Sequence, residues 1–346
     1  MIELTTVPAD EAIVIGTSTG GLHALQTVIA GLPLGLPAAV LIVMHTAEGE
    51  SLLPALLARV ARMPLRHARD GEPVLAGRIL VAPPGQHLMV ERTGAGCRAV
   101  LTRGPKENYC RPAIDVLFRS AAAAYGPRAT GVVLTGQLDD GTMGLLSIKT
   151  CGGRAVVQLP EDAVAPSMPA SALQHVDVDK VLRLPEIAGA LTQMVGGAVP
   201  AVPAATPTPE WIQLENRYAG KGSDMDSLAR IATPSTFTCP ECQGTLWEVR
   251  SPGLKRYRCH TGHALTEQTL ASLQDRLVED ALSSALRALH EKEKLLRQMA
   301  EDAVQAGQAK AALDHVQQAA EAQRSAEVLH RLITARHVAD GALESA

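Results

Sequence analysis

The chain has 346 residues, 46 % of them hydrophobic but only 2 % aromatic, and a formal net charge of −4. Its core must therefore be aliphatic, and so weak an acidity excludes any global pull toward nucleic acid or an anionic membrane. No apolar run is long enough to span a bilayer, and Met1-Ile2-Glu3-Leu4 has no basic, hydrophobic leader, so a cytoplasmic protein of about two to three domains is expected.

The first strong signal is the apolar run Ala12-Ile13-Val14-Ile15, which predicts a buried strand over 12–16. Gly16-Thr17-Ser18-Thr19-Gly20-Gly21 follows, small enough for a sharp turn into a helix beginning near Leu22. Gly16-x-Ser18-x-Gly20 fits the nucleophile-elbow pattern, which lifts a serine above the sheet edge beside main-chain N–H groups. The same turn also suits a plain anion-binding loop. Further strands are predicted at 39–45, 78–82, 130–136 and 154–159, with helices at 22–30, 52–62, 115–124 and 143–151 between them. This rhythm predicts an α/β fold, a doubly wound, mostly parallel, Rossmann-like sheet over residues 1–195. Segments 87–91 and 98–103, joined through Thr93-Gly94-Ala95-Gly96, read as an inserted β-hairpin. The loops after residues 16, 44 and 136 should converge beyond the strands' carboxyl ends.

Residues 196–235 break the pattern, first with a Pro/Ala-rich run and then with a polar, Gly-containing stretch, and read as a linker. A compact unit at 236–266 holds Cys239-Pro240-Glu241-Cys242 and Cys259-His260-Thr261-Gly262-His263. Two ligand-spaced pairs suit a closed tetrahedral structural zinc site of Cys239, Cys242, Cys259 and His263, with His260 the competitor for the fourth position. A redox Cys-x-x-Cys would sit in a thioredoxin-like unit, which is absent here. The module carries four Arg/Lys against two Glu between Phe237 and His263, too few for a nucleic-acid stripe. Residues 267–346 read as a helical hairpin turning near Ala306-Gly307.

A serine nucleophile needs a base and a group that orients the base. His45 closes the second strand, and Asp139 and Asp140 follow the strand ending at 136. Singly, each has an ordinary structural use, a satisfied histidine at a strand end or an acid in a turn before glycine. Together, Ser18, His45 and Asp140 fall where a parallel sheet gathers its loop ends. Their chain order differs from the Ser, acid, His order of α/β-hydrolases and excludes a standard lipase or esterase of that fold.

Several runs recur in one order: Gly16-Thr17-Ser18-Thr19-Gly20-Gly21, Asp70-Gly71-Glu72, Val81-Ala82-Pro83-Pro84-Gly85-Gln86-His87-Leu88, Arg111-Pro112-Ala113-Ile114-Asp115-Val116-Leu117-Phe118, Val133-Leu134-Thr135-Gly136, Asp140-Gly141 and Met168-Pro169. Through them residues 1–195 resemble the catalytic domain of the CheB protein-glutamate methylesterases of chemotaxis. The resemblance implies hydrolysis of γ-glutamyl methyl esters on a methylated chemoreceptor or receptor-like helical bundle, with release of methanol, no catalytic cofactor, and in some members deamidation of glutamines. It implies Ser18 as nucleophile, His45 as base and then acid, and Asp140 as the group orienting the imidazole. Thr19 would shape the site beside the serine, and the main chain at Gln137 would contribute to the oxyanion hole.

Three departures stand out. Gln137-Leu138 replaces the usual Met-Gly, and leucine takes positive φ less readily than glycine, so a reshaped loop is expected. Thr46-Ala47 replaces the usual Met-Pro after the histidine. About ten residues precede the first strand, so unmasking by a phosphorylated receiver domain in cis is not expected. These departures keep a second reading open, a catalytically weak or inactive CheB-like binding protein. The helical tail has three open uses: a surface for a receptor bundle, a homo-oligomer contact, or a pair packed on itself or on the ribbon.

Overall fold

The computed structural model describes residues 7–196, 208–222 and 225–343. Through residue 196 the elements run β1 (Ala12–Thr17), α1 (Gly21–Gly31), β2 (Ala39–Met44), α2 (Leu53–Ala58), β3 (Leu65–His67), β4 (Ile79–Val81), β5 (His87–Thr93) and β6 (Gly96–Thr102). They continue with α3 (Ile114–Tyr125), β7 (Ala129–Val133), α4 (Thr142–Thr150), β8 (Arg154–Gln158), α5 (Ser167–His175), β9 (Lys180–Leu182) and α6 (Leu184–Met194). Seven strands form one sheet in the order β3-β4-β2-β1-β7-β8-β9, with every neighbouring pair parallel.

The sequence dictates this layering. β1 is buried along its whole length, and its period-two alternation sends Val14 to one face and Ile13 and Ile15 to the other. Leu117 and Phe118 of α3 and Leu145 and Ile148 of α4 cover the first face. Leu25 and Val28 of α1 and Ile187 and Leu191 of α6 cover the second. β2 lies on one side of β1 and β7 on the other, so the strand order reverses there and a crevice opens beyond the carboxyl ends. β5 and β6 pair as the antiparallel hairpin that the Gly-containing turn predicts. The three-residue edge strands β3 and β9 escape sequence reading because Arg66 and Lys180 interrupt the apolar pattern. α2 ends at Ala58, four residues before the predicted end at 62.

The linker predicted at 196–235 is corrected from residue 210 onward. α7 (Glu210–Lys221) and α8 (Met225–Ile231) occupy that stretch, and β10 (Ala232–Thr238) begins before its end. Ile212, Leu214, Tyr218, Leu228 and Ile231 are buried at helical spacing, a stripe that the polar average of the segment conceals. The Pro/Ala run at 197–207 lies outside the described residues. β11 (Thr245–Val249), β12 (Arg256–Cys259) and β13 (Ala264–Thr266) complete an antiparallel sheet in the order β10-β11-β12-β13.

The chain divides into two compact units, Met1–Leu270 and Ala271–Ala346, so the predicted boundaries at 195 and 235 are not where it separates. The small sheet belongs to the same unit as the large one. The second unit consists of most of α9 (Glu267–Gln305) and of α10 (Ala309–Leu343), joined through Gly307 at φ +71° as the predicted hairpin. Ala300, Ala303, Ala312, Ala319, Ala322 and Ala326 are buried, and Arg297 donates to Gln323 Oε1 at 3.0 Å from one helix to the other. Among the described residues no helix is long and apolar enough to cross a membrane.

Five charged side chains join the two sheets. Glu107, Arg119 of α3, Glu215 of α7, and Arg256 and Arg258 of β12 are each at most 1 % exposed. Arg119 grips Glu107 with two bonds of 3.0 and 2.9 Å. Arg258 donates to Glu107 Oε1 at 2.9 Å and to both oxygens of Glu215 at 3.1 and 2.7 Å, with its guanidinium 5.2 Å from the Tyr218 ring centroid. Arg256 Nη1 lies 2.9 Å from Glu215 Oε2. Burial works against ionisation of Glu215, but the three guanidiniums outweigh it and hold the acid down at about 2.

Removing one member of such a network strands the others out of water. Glu215→Ala should cost about 3–5 kcal/mol in urea unfolding followed by the fluorescence of Trp211 and Trp247. Arg98→Ala, which breaks the exposed Arg98–Glu91 pair, should change stability by less than about 1 kcal/mol.

Candidate active site and metal cluster

Three loops deliver the side chains that the sequence singles out. Ser18 follows β1, and its N–H donates to Thr135 O at 3.0 Å, tying the turn to the loop after β7. Small residues are required here for space. A Cβ on Gly16 would stand 2.2 Å from Ile114 Cγ2, and one on Gly136 would stand 2.0 Å from Met168 Sδ and 3.0 Å from Ser18 Cβ. Gly20 turns the chain at φ +77° into α1. His45 extends the β1–β2 ladder by one bond, its N–H donating to Thr17 O at 3.1 Å.

The structure brings Ser18, His45 and Asp140 together. His45 Nδ1 lies 3.2 Å from Ser18 Oγ, and His45 Nε2 lies 2.7 Å from Asp140 Oδ2. An ionised carboxylate only accepts, so Nε2 carries a proton, and in the neutral ring Nδ1 is free to accept from the serine hydroxyl. Asp139, the neighbouring acid, faces elsewhere: its Oδ1 accepts from the hydroxyls of Thr266 at 2.9 Å and Thr269 at 3.1 Å.

Asp140 is held from four directions. Oδ2 also accepts from Ile114 N–H at 2.7 Å, and Oδ1 accepts from Asp115 N–H at 3.1 Å and from Asn108 Nδ2 at 2.9 Å. The two N–H groups open α3, so the carboxylate sits on a helix N-terminus, where the helix dipole favours negative charge. Burial favours the neutral acid, but His45, Ile114 N–H and the Asn108 amide hold Asp140 below the ordinary carboxylate range. Burial likewise opposes the imidazolium of His45, yet the hydrogen bond to Asp140 and its charge, with Cys110 beside the ring, lift it to about 10. Asp115 is pushed up to about 7, by burial first and then by the charge of Asp140. Its Oδ1 accepts from Gly141 N–H at 3.0 Å and Gly144 N–H at 2.6 Å, which fixes the turn into α4.

Thr19 and Gln137 are exposed on the rims of the two loops beside Ser18. Leu138 takes φ +61°, a left-handed backbone that leucine adopts less readily than glycine.

Asn108 and Asp115 are missed as site residues by sequence reasoning. Asp115 lies inside the run 111–118 that carries the resemblance, with no role of its own assigned there. Asn108 carries no local signal, because its partners come from residues 115, 140, 264 and 266.

In the small sheet, the ligand atoms of Cys239, Cys242, Cys259 and His263 all lie within 4.8 Å of one another. Individual separations are 3.6 Å for Cys242 Sγ to Cys259 Sγ, 3.6 Å for Cys259 Sγ to His263 Nδ1, and 3.8 Å for Cys239 Sγ to His263 Nδ1. A tetrahedron with metal–ligand bonds of roughly 2.0–2.3 Å has edges of about 3.5–3.8 Å, so this donor set could hold a zinc-like ion. The thiols are free of disulfides. His260, the competing fourth ligand, packs instead over Gly244, where a Cβ would stand 2.2 Å from its Cε1.

The CheB methylesterase family model matches residues 13–191. A protein-glutamate methylesterase/protein-glutamine glutaminase of Chromobacterium violaceum is 39 % identical over 188 residues, 54 % of this chain and 52 % of the relative. One of the same description from Anaeromyxobacter dehalogenans is 41 % identical over 185 residues, 53 % of each chain. The chain thus spans about half the length of these relatives. The crystal structure of the Thermotoga maritima CheB methylesterase catalytic domain superposes with a TM-score of 0.52 at 32 % identity, covering 54 % of this chain and 98 % of that one. With a doubly wound parallel sheet, a serine, histidine and aspartate in hydrogen-bond contact at its crevice, and a family match across more than half its length, the chain belongs to the CheB methylesterase family.

Proposed function

We propose that this protein is a serine esterase that hydrolyses glutamyl γ-methyl esters on a methylated, receptor-like helical protein. The observation that carries the reading is the single imidazole bridging Ser18 at 3.2 Å and Asp140 at 2.7 Å. The named activities of the relatives from Chromobacterium violaceum and Anaeromyxobacter dehalogenans support the ester, and the amide as a second leaving group.

In this mechanism Ser18 Oγ attacks the ester carbonyl as its proton passes to Nδ1 of neutral His45. Asp140 holds the ring through Nε2–H and stabilises the imidazolium that forms. The tetrahedral oxyanion is met by main-chain N–H groups at Thr19 and Gln137, for which no donation within the described residues competes. The imidazolium then returns its proton to the departing methoxide, releasing methanol and leaving an acyl-serine. A water molecule, deprotonated by His45, attacks that acyl group and frees the glutamate carboxylate and Ser18. With a glutamine substrate the same steps release ammonia. The donor set Cys239, Cys242, Cys259 and His263 would hold a structural zinc ion that closes the ribbon and takes no part in these steps. The binding-only reading gains nothing from this geometry, since Leu138 accepts the left-handed conformation without displacing the triad.

Ser18→Ala should abolish both methanol release from methyl-labelled receptor domains and covalent labelling by a fluorophosphonate probe; equal release by both forms would reject the assigned nucleophile. The raised His45 sets the pH dependence. The imidazole must be neutral to accept the serine proton, so kcat/KM should climb with pH through a limb well above 6.5, toward 10. Asp140→Asn should lower kcat by about 10⁴-fold and bring that limb down, because the charge that raises the histidine is gone. Metal analysis should find one zinc ion per chain, lost in Cys242→Ser; a metal-free, fully folded wild-type chain would remove the zinc assignment.

A further inference from the structure

Four consecutive residues, Pro105 to Asn108, lie against the small sheet. Pro105 Cγ would stand 2.8 Å from a Cβ on Gly262, a close approach that only glycine permits at φ +99°. Lys106 O accepts from Ala264 N–H at 3.2 Å, and Lys106 Nζ lies 3.5 Å from Glu241, inside the Cys239–Cys242 knuckle. Glu107 is clasped by Arg256 and Arg258 of β12. Asn108 donates its own N–H to Ala264 O at 2.8 Å.

The Asn108 side chain continues this seam into the triad. It is 4 % exposed, and its backbone is held at φ +51°. Oδ1 accepts from Thr266 N–H at 3.2 Å, while Nδ2 donates to Asp140 Oδ1 and to Asp115 Oδ2, each at 2.9 Å. An amide with its oxygen fixed by β13 has only one orientation left for its two N–H donors. One of them is spent on the triad carboxylate. On the other side of Asp140, Thr266 and Thr269 hold the adjacent Asp139. β13 begins one residue after His263, a member of the metal-fitting cluster.

We infer that Asn108 is a positioning residue through which the metal-closed ribbon orients Asp140, so that the ribbon is a brace on the catalytic triad and its metal loading sets esterase turnover. The inference rests on the esterase reading for its turnover arm. Its structural arm, the hydrogen bond between His45 and Asp140, is readable without any substrate.

The test uses the full chain with its metal bound. Asn108→Gly accepts the left-handed backbone and deletes only the amide. It should lower kcat about ten- to hundredfold, the worth of one hydrogen bond to a charged group, with KM within about twofold. It should also shift the downfield proton resonance of the His45 Nε2–H···Asp140 bond. Removal of the metal by a chelator should impose a similar loss and shift on the wild type but less than about twofold further loss on Asn108→Gly, because both act through one contact. If circular dichroism shows the stripped chain unfolded, the ribbon arm is read from metal-loaded Thr266→Pro, which removes the N–H to Asn108, against Thr266→Val, which keeps it. Unchanged kcat and resonance in Asn108→Gly, or ribbon lesions that lower Asn108→Gly as much as the wild type, would overturn the inference. A chain that hydrolyses no methyl ester yet shows the resonance shift on Asn108→Gly rejects the proposed function and leaves the brace standing.

Discussion

Two carboxylates and three guanidiniums, all withdrawn from water, hold the floor of this molecule. Each ion in such a cluster has lost its hydration, and only simultaneous contact with several opposite charges offsets that loss. The geometry meets the requirement: Glu107 and Glu215 each accept from more than one arginine, and Arg258 touches both acids. The cluster draws on α3, α7, β12 and the loop before α3, so none of these elements can shift without stranding charge. Helix α3 is consequently fixed by Arg119, and its first turn supplies the two N–H groups that seat Asp140. Asp140 is thus seated by a network it does not touch.

Within the site, burial and neighbouring charge push two acids in opposite directions. Asp115 and Asp140 share the Asn108 amide and lie close enough that the charge of one discourages ionisation of the other. Asp140 faces the imidazole and the start of α3 and stays ionised; Asp115, without an imidazole partner, is lifted to about 7. Pairs of groups whose environments separate their proton affinities are how one fold assigns distinct roles to chemically identical side chains. Here the separation places the negative charge on the carboxylate beside His45.

What could be read from the residues follows a physical division. Buried parallel strands must be apolar along their length, so β1, β2, β7 and β8 declare themselves, and the loops at their carboxyl ends carry Ser18, His45 and Asp140 into one crevice. Ligand spacing likewise exposes the cysteine pairs, since a metal-fitting turn demands it. Other features depend on partners distant in the chain. Glu215 lies in a stretch whose polar average reads as linker, and only the three arginines that enclose it, drawn from other elements, show it to be buried. Asn108 has no local pattern because its function is the meeting of 115, 140, 264 and 266. His260 and His263 are chemically alike; the turn at Gly262, φ +99°, decides which one faces the cysteines.

The loop from Gly136 to Gly141 shows how these constraints combine. A leucine at positive φ costs about 1–2 kcal/mol relative to the right-handed region, and Leu138 pays it at φ +61°. The surrounding bonds leave it little choice. Gly136 N–H is committed to Ala165 O, Thr142 N–H to Asp139 O, and Asp139 Oδ1 to the hydroxyls of Thr266 and Thr269. With both ends of the loop anchored, relaxing Leu138 would break several of these bonds and withdraw Asp140 from His45. Leu138 is therefore a strained residue held in place, and two of the groups holding it, the hydroxyls of Thr266 and Thr269, come from the segment that follows the cysteine cluster.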